Sequence, residues 1–279
     1  VFVLRHGTLR EMSTSLNKSS LLFTDLDGTL LTTAETIVPK VVDQLRNARA
    51  RGVSVVPATA RGIRGVLHVA DMAELGPIAV CHNGAVGYDL DQKSLLWIRE
   101  LSREFVRTTI EGLLRLDTGF FFAASSPFEF RPQRDFLKRP TMAQIECELE
   151  GLFELEPVVK VICRHREHHA SELISLLSKE VYGVQLISGS TDWVEIVPKG
   201  VSKGFGVGLA AELLGIELED TVAVGDHLND LPMLAIVGHP FAVANAHASV
   251  LAVVEESVAS NDEGGVGELV DRMRLSAGI

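Results

Sequence analysis

Cysteine is scarce in this chain of 279 residues: there are three, and no two share a Cys-x-x-Cys spacing. Cys81, Cys147 and Cys163 are therefore expected to be reduced thiols, neither a disulfide framework nor a zinc site. Basic residues are short relative to acidic ones, with 26 Lys and Arg against 37 Asp and Glu and a formal charge of −11. That balance argues against a nucleic acid or an anionic membrane as partner, because both require a basic face. Long hydrophobic runs are missing, so no transmembrane span is expected. The first residues carry neither the apolar core nor the small-residue cleavage site of a signal peptide, and a cytoplasmic location is the expectation. There is no internal repeat and no low-complexity tract. What the chain does have is apolar content, 46% of its residues, which suits one large domain or two modest ones with a sizeable core.

The most informative stretch is Leu21 to Leu31, Leu-Leu-Phe-Thr-Asp-Leu-Asp-Gly-Thr-Leu-Leu. An apolar, β-favouring run meets two aspartates and is then broken by Gly28, as a buried parallel strand reads where it ends at the carboxyl edge of a sheet. Ligands bind at that edge in open α/β sheets. Two carboxylates there are costly unless a cation or a reaction needs them.

Residues 1–19 read as a peripheral N-terminal extension. Val1 to Gly7 by itself resembles the nucleophilic-histidine motif of histidine phosphatases, with His6 as acceptor. The polar stretch that follows does not supply that motif's context, and Met12 reads equally as a start. Past Leu31, a helix from Val38-Pro39 to about Arg51, a strand at Val53–Val56, a helix over roughly Arg64–Glu74 and a strand at Pro77–Cys81 alternate with short turns. That alternation predicts a parallel α/β sheet. The character then changes to a hairpin at Val86–Ile98, a helix at Arg103–Leu116, a loop-rich segment with arginines, a helix at Thr141–Phe153, and further strands and a helix up to Ser188. This reads as an α+β insert with its own hydrophobic pattern. From about Asp192 the first character resumes. The expected architecture is an α/β fold: a Rossmann-like parallel-sheet core at 20–86 and 190–279, with an inserted α+β cap domain at 87–189.

Four elements carry chemistry, each just after a predicted strand or before a helix. Asp25-x-Asp27 is the first, although a turn aspartate pair beside Gly is common in any loop. Thr59, in Pro57-Ala58-Thr59-Ala60-Arg61-Gly62, is the second. Its hydroxyl and the neighbouring amides can hold a phosphate oxygen, or the residue can simply cap a helix. The third is Lys203 in Pro198-Lys199-Gly200-Val201-Ser202-Lys203-Gly204, with Lys199 as competitor and a solvated surface lysine as the plain alternative. The fourth is Gly225-Asp226-His227-Leu228-Asn229-Asp230, where carboxylates suit a hard cation.

Together, and in this chain order, the four resemble the motifs of the haloacid dehalogenase-like phosphohydrolases over nearly the whole chain from Ser20. The resemblance implies Asp25 as nucleophile, forming an aspartyl-phosphate, and Asp27 as general acid and then base. It implies Mg2+ held by Asp25, the main-chain carbonyl of Asp27, and Asp226, with Asn229 and Asp230 orienting water or Lys203 from behind. His227 is expected to be exposed rather than a ligand, because Mg2+ prefers oxygen. Lys203 would hold the nucleophile and the phosphate. Thr59, Ala60 and Asn83 would lie at the phosphate, and since the family usually has Gly where Ala60 stands, the turn is expected to differ slightly. The position of the insert and the segments Asn83-Gly84-Ala85, Asn245-Ala246 and Ser260–Gly264 resemble the Cof-type branch (subclass IIB), whose members mostly dephosphorylate sugar phosphates and other small metabolites. Specificity would lie in the cap, with Arg61, Arg131 and Arg134 as candidate substrate contacts. The expected function is a Mg-dependent phosphatase acting on a small phosphorylated metabolite as monomer or homodimer. A sugar-phosphate phosphomutase and a non-catalytic binding protein on the same fold are the alternatives.

Overall fold

The computed structural model describes residues 20–137, 146–188 and 191–276. The expectations for 1–19, His6 among them, and for the first part of a helix at 141–153 lie outside the described residues. The elements are β1 (Leu21–Thr24), α1 (Pro39–Arg49), β2 (Ser54–Pro57), α2 (Ile63–Ala73), β3 (Ile78–Cys81), β4 (Val86–Asp89), β5 (Ser94–Ile98), α3 (Arg103–Leu116), β6 (Phe120–Ser125), β7 (Phe130–Pro132), α4 (Leu149–Phe153), β8 (Lys160–His165), α5 (Ala170–Glu180), β9 (Val184–Ser188), β10 (Trp193–Pro198), α6 (Lys203–Leu214), β11 (Thr221–Gly225), α7 (Leu231–Leu234), β12 (His239–Val243), α8 (Ala248–Leu251), β13 (Glu256–Val258) and α9 (Gly265–Ser276). No helix among the described residues is long and apolar enough to cross a membrane.

The core sheet has the order β13-β12-β11-β1-β2, and every pairing in it is parallel. Leu21, Leu22 and Phe23 of β1 are wholly buried, as the unbroken apolar run requires of a strand covered on both faces. Thr24 stands opposite Val224 on one side and Pro57 on the other. Because the three strands end in step, the segments that follow them, at Asp25, Ala58–Thr59 and Asp226, emerge along one edge.

The inserted sheet has the order β7-β6-β8-β10-β9, with antiparallel pairings throughout. Strand alternation divides its side chains between two faces. Phe120, Phe122, Val161, Cys163, Val194 and Ile196 form one core with Val106, Ile110 and Leu113 of α3 and Leu173 and Leu177 of α5. The opposite face carries Lys160, Ile162, Trp193 and Glu195, and it turns toward the loops of the core sheet.

Both seams of the insert differ from the sequence expectation. The hairpin β4–β5, assigned to the insert from residue 87, pairs with β3 in a three-stranded antiparallel sheet. Val86 and Tyr88 are buried in the core cluster, Trp97 and Ile98 pack against it, and Trp97 Nε1 donates to the Gly84 carbonyl at 3.1 Å. Strand β3 itself meets the parallel sheet through a bridge between Ala58 and Val80, and the turn before it through one between Val55 and Gly76. At the other seam, Trp193–Pro198 was expected in the core, yet it lies between β8 and β9 of the inserted sheet. A period-two apolar pattern identifies a strand but does not name its neighbours.

Helix α6 reaches the sheet edge because its first turn is small. A Cβ on Gly204 would lie 2.3 Å from the Pro232 carbonyl oxygen, and one on Gly206 would lie 2.4 Å from Val80 Cγ1. Gly204→Ala is therefore expected to destabilise the protein by about 1–3 kcal/mol through overpacking, outweighing the roughly 1 kcal/mol that alanine gains in helix propensity. Urea unfolding checks this, and an unchanged or higher midpoint would show that α6 has room to spare.

Candidate active site

Asp25 follows β1 directly, and its N–H donates to the Val224 carbonyl at 3.1 Å, extending the ladder by one residue. Its side chain is buried. Lys203, the first residue of α6, places its Nζ 2.7 Å from Asp25 Oδ1 and 2.6 Å from Asp230 Oδ1. The turn is set by Ser202, whose hydroxyl caps α6 by accepting the Phe205 N–H at 3.1 Å. Burial works to lower the affinity of the Lys203 ammonium for its proton, but the charges of Asp230 and Asp25 outweigh it and hold the group above the usual lysine range. Burial raises the Asp25 carboxyl well above its ordinary range. Lys203 opposes that rise, while Asp230 and Asp226 add to it.

Asp230 does a second job with its other oxygen. Oδ2 accepts the backbone N–H of Asp226 at 3.0 Å and of His227 at 2.9 Å, which folds the loop after β11 back on itself. Asp226 is held from the opposite side by Thr29, whose hydroxyl donates to Oδ1 at 3.0 Å. Gly28 makes this approach possible: its φ is +78°, and a Cβ there would lie 2.6 Å from Asp226 Oδ2. Burial, then repulsion from Asp230, raises the Asp226 carboxyl above its ordinary range. His227 was expected to be exposed, but it is half-buried and lines the same cleft as Asp226.

The phosphate-loop candidates fold tightly together. Thr59 is buried, and its oxygen accepts the Arg61 N–H at 3.1 Å. Ala60 does not adopt a positive φ, so alanine in place of glycine costs nothing there. Arg61 extends to Asp27 as a fork, with Nε 2.8 Å from Oδ2 and Nη2 2.5 Å from Oδ1. That pairing is the chief reason the guanidinium sits above its usual range. Next comes a turn with three successive positive φ values, His82 at 51°, Asn83 at 54° and Gly84 at 97°. Asn83 is buried, and its Oδ1 accepts from Asn229 Nδ2 at 3.0 Å.

Asp25, Asp27, Ala60, Arg61, Asp226 and Asn229 thus line one cleft of about 400 Å³, which Ser188, Trp193 and Glu195 of the inserted sheet also border. Arg131 and Arg134 do not line it. Arg131 pairs with Glu129 and the Gly151 carbonyl, and Arg134 lies 2.7 Å from Glu148. Both are engaged within the insert, so their expected role in substrate contact finds no support. Lys199 is exposed. The sequence reading missed Glu195 and Lys160, which are buried beside the cleft. The available signal was a lone charge inside each of two apolar strands, Val-Val-Lys-Val-Ile and Trp-Val-Glu-Ile-Val, where only a paired or functional charge is tolerated.

Asp25, Asp226 and Asp230 offer oxygens within 4.8 Å of one another, and Lys203 supplies one positive charge against their three negative ones. Both oxygens of Asp230 are already committed to Lys203 and to backbone donors. Among the described residues no hydrogen bond reaches the second oxygen of Asp25 or of Asp226, and both carboxyls are raised, first by burial and then by the neighbouring carboxylates. An all-oxygen donor set with uncompensated charge fits a hard divalent cation such as Mg2+. Removing the one balancing charge should be costly: Lys203→Met is expected to lower stability in metal-free buffer by about 3–5 kcal/mol. Chemical denaturation measures this, and a loss under about 1 kcal/mol would show that the carboxylates do not depend on the lysine.

Comparison with known proteins agrees with this geometry. The family model for haloacid dehalogenase-like hydrolases matches residues 22–270. YxeH of Bacillus subtilis, named as a candidate phosphatase, is 28% identical over 92% of this chain and 98% of its own. The pyridoxal phosphate phosphatase YbhA of Escherichia coli is 26% identical over 88% of this chain and 95% of its own. The solved structure of the subclass IIB sugar phosphatase BT4131 superposes with a TM-score of 0.76 at 20% identity, covering 91% of this chain and 99% of that one. The carboxylate-rich edge of a parallel sheet, the buried lysine and the inserted α+β sheet have a common explanation: the chain belongs to the haloacid dehalogenase-like hydrolase family, as its motifs of the Cof-type branch led one to expect.

Proposed function

We propose that this hydrolase is a phosphatase that cleaves a small phosphate monoester, a sugar phosphate or a similar metabolite, through an aspartyl-phosphate on Asp25. The observation that carries the reading is the Asp25 carboxylate itself. It is buried at the end of the central strand, gripped on one oxygen by Lys203 at 2.7 Å, and borders a cleft with Asp27 and Asp226. A nucleophile so placed is oriented and kept from alternative partners. The relatives named for pyridoxal phosphate and sugar phosphates support a small phosphorylated substrate.

In the proposed reaction one Asp25 oxygen attacks phosphorus, the bond to the leaving oxygen breaks, and Asp27 delivers a proton to that oxygen. Asp27 then takes a proton from water as the water attacks the aspartyl-phosphate, releasing phosphate and restoring Asp25. The Arg61 fork spans both Asp27 oxygens, so Arg61 must release one of them before Asp27 can carry the proton. Lys203 and the amides around Thr59 stabilise the charge on the transferring group. Mg2+, held by Asp25, Asp226 and the main-chain carbonyl of Asp27, would offset the charge of the phosphate oxygens. The face of the insert that carries Trp193 and Glu195 closes the cleft, excluding water and presenting the surface that the leaving group meets.

Asp25→Asn is expected to abolish turnover of an aryl phosphate, a loss of at least about 10⁴-fold in kcat, while circular dichroism stays native. Asp27→Asn should cost about 10²–10⁴-fold, the usual contribution of general acid–base catalysis. Chelation by EDTA should remove activity, and added Mg2+ should restore it. Full activity in the Asp25 variant or in the chelated protein would sink the mechanism.

A further inference from the structure

Lys160 and Glu195 form the fully buried ion pair that lies outside the Asp25 cluster among the described residues, with Nζ 2.6 Å from Oε1. They stand on β8 and β10 of the inserted sheet. Glu195 is opposite Ile162, and Lys160 lies one same-face step along from it. Neither belongs to the insert's own hydrophobic core, which occupies the other face. Buried charges in such a pair are often replaceable by apolar residues at no loss, so packing alone does not account for them.

Among the described residues their remaining side-chain hydrogen bonds cross to the loops that follow β2 and β3. Lys160 Nζ also donates to the Ala60 carbonyl at 3.1 Å. Glu195 Oε2 accepts from Asn83 Nδ2 at 2.8 Å, and Asn83 passes the connection to Asn229 through its own oxygen. Asn83 is held with φ 54° and ψ 32°, a left-handed conformation that persists only where the surroundings over-determine it. The Asn83 N–H to the Thr59 carbonyl and both ends of its amide supply that determination. The strongest of these bonds is the one to the charged carboxylate.

We propose that Glu195, with its charge balanced by Lys160, is a positioning residue. From the insert it sets Asn83, and through Asn83 the Asn229 loop, so that the core's affinity for phosphate depends on the insert being docked. The inference rests on the proposed phosphatase reading for the identity of the ligand. Lys160 Nζ is shared between Glu195 and the Ala60 carbonyl, which ties the pair to the loop after β2. Linkage is reciprocal: phosphate in the core favours the docked insert by the same factor.

Two double variants separate this from packing and from substrate contact. Lys160→Met with Glu195→Gln keeps an acceptor for Asn83, whereas Lys160→Met with Glu195→Leu removes it. Both are neutral and similar in volume. Calorimetric titration with inorganic phosphate and Mg2+, which involves no leaving group, should show the Leu form binding at least about tenfold more weakly than the Gln form. The Leu form should also raise KM for an aryl phosphate by more than it lowers kcat. Equal phosphate affinities in the two forms would overturn the proposal in favour of packing. Wild-type phosphate affinity in both, with altered preference among leaving groups, would overturn it in favour of direct substrate contact. Should neither form fold, hydrogen exchange on the wild-type protein decides: phosphate must slow exchange in β8 and β10, and unchanged exchange refutes the link. A wild-type protein that neither binds phosphate nor hydrolyses aryl phosphates fails earlier, before any variant is made, and marks the phosphatase reading as the error.

Discussion

One buried ammonium holds three distant parts of the chain in register. Lys203 meets Asp25 from the end of β1 and Asp230 from the loop after β11, and all three side chains are buried. The second oxygen of Asp230 then shapes the backbone that presents Asp226. A charge at the start of α6 therefore fixes the relative placement of two loops whose strands are neighbours in the sheet. Three carboxylates against one ammonium leave the cluster electrostatically incomplete, and this incompleteness suits the edge to the cation and phosphate of the proposed reaction. A fully neutralised cluster would be more stable and chemically idle.

The glycines in contact with this cluster serve close approach, not flexibility. Gly28 lets the Asp25–Asp27 loop wrap Asp226, and Gly204 lets α6 seat against Pro232. Arg61 supplies a second electrostatic lock, tying Asp27 to the loop after β2. The inserted sheet closes over this edge with the face its own core does not use. Its buried charges, Lys160 and Glu195, neutralise each other within the insert and spend their other hydrogen bonds across the seam, on the Ala60 carbonyl and the Asn83 amide.

Much of the catalytic edge was legible in the chain because its signals are local. An apolar run followed by Asp25, Asp27 and Gly28 encodes a buried strand and the break that ends it. Val-rich β11 followed by Gly225-Asp226 does the same, and Ser202-Lys203-Gly204 announces a capped helix start. The seams were less legible. Val86–Ile98 and Trp193–Val197 have the alternation of strands, and alternation is silent about which sheet a strand joins. Arg131 and Arg134 looked like substrate contacts because an arginine-rich loop suits an anion, but their partners Glu129 and Glu148 lie close by in the insert.

The amino-acid sequence determined where strands end in carboxylates and, through the family those motifs resemble, that Lys203 rather than Lys199 stands beside them. Those features depend on residues within a few positions of one another. Tertiary structure alone decided that Glu195 and Lys160 face the core, that Asn83 joins the insert to the Asn229 loop, and that the hairpin at 86–98 belongs with β3 beside the β2 edge of the parallel sheet. The reason is physical: strand register and the face a side chain takes are set by pairing between segments far apart in the chain, and a lone charge in an apolar strand shows its purpose only when its partner is brought beside it.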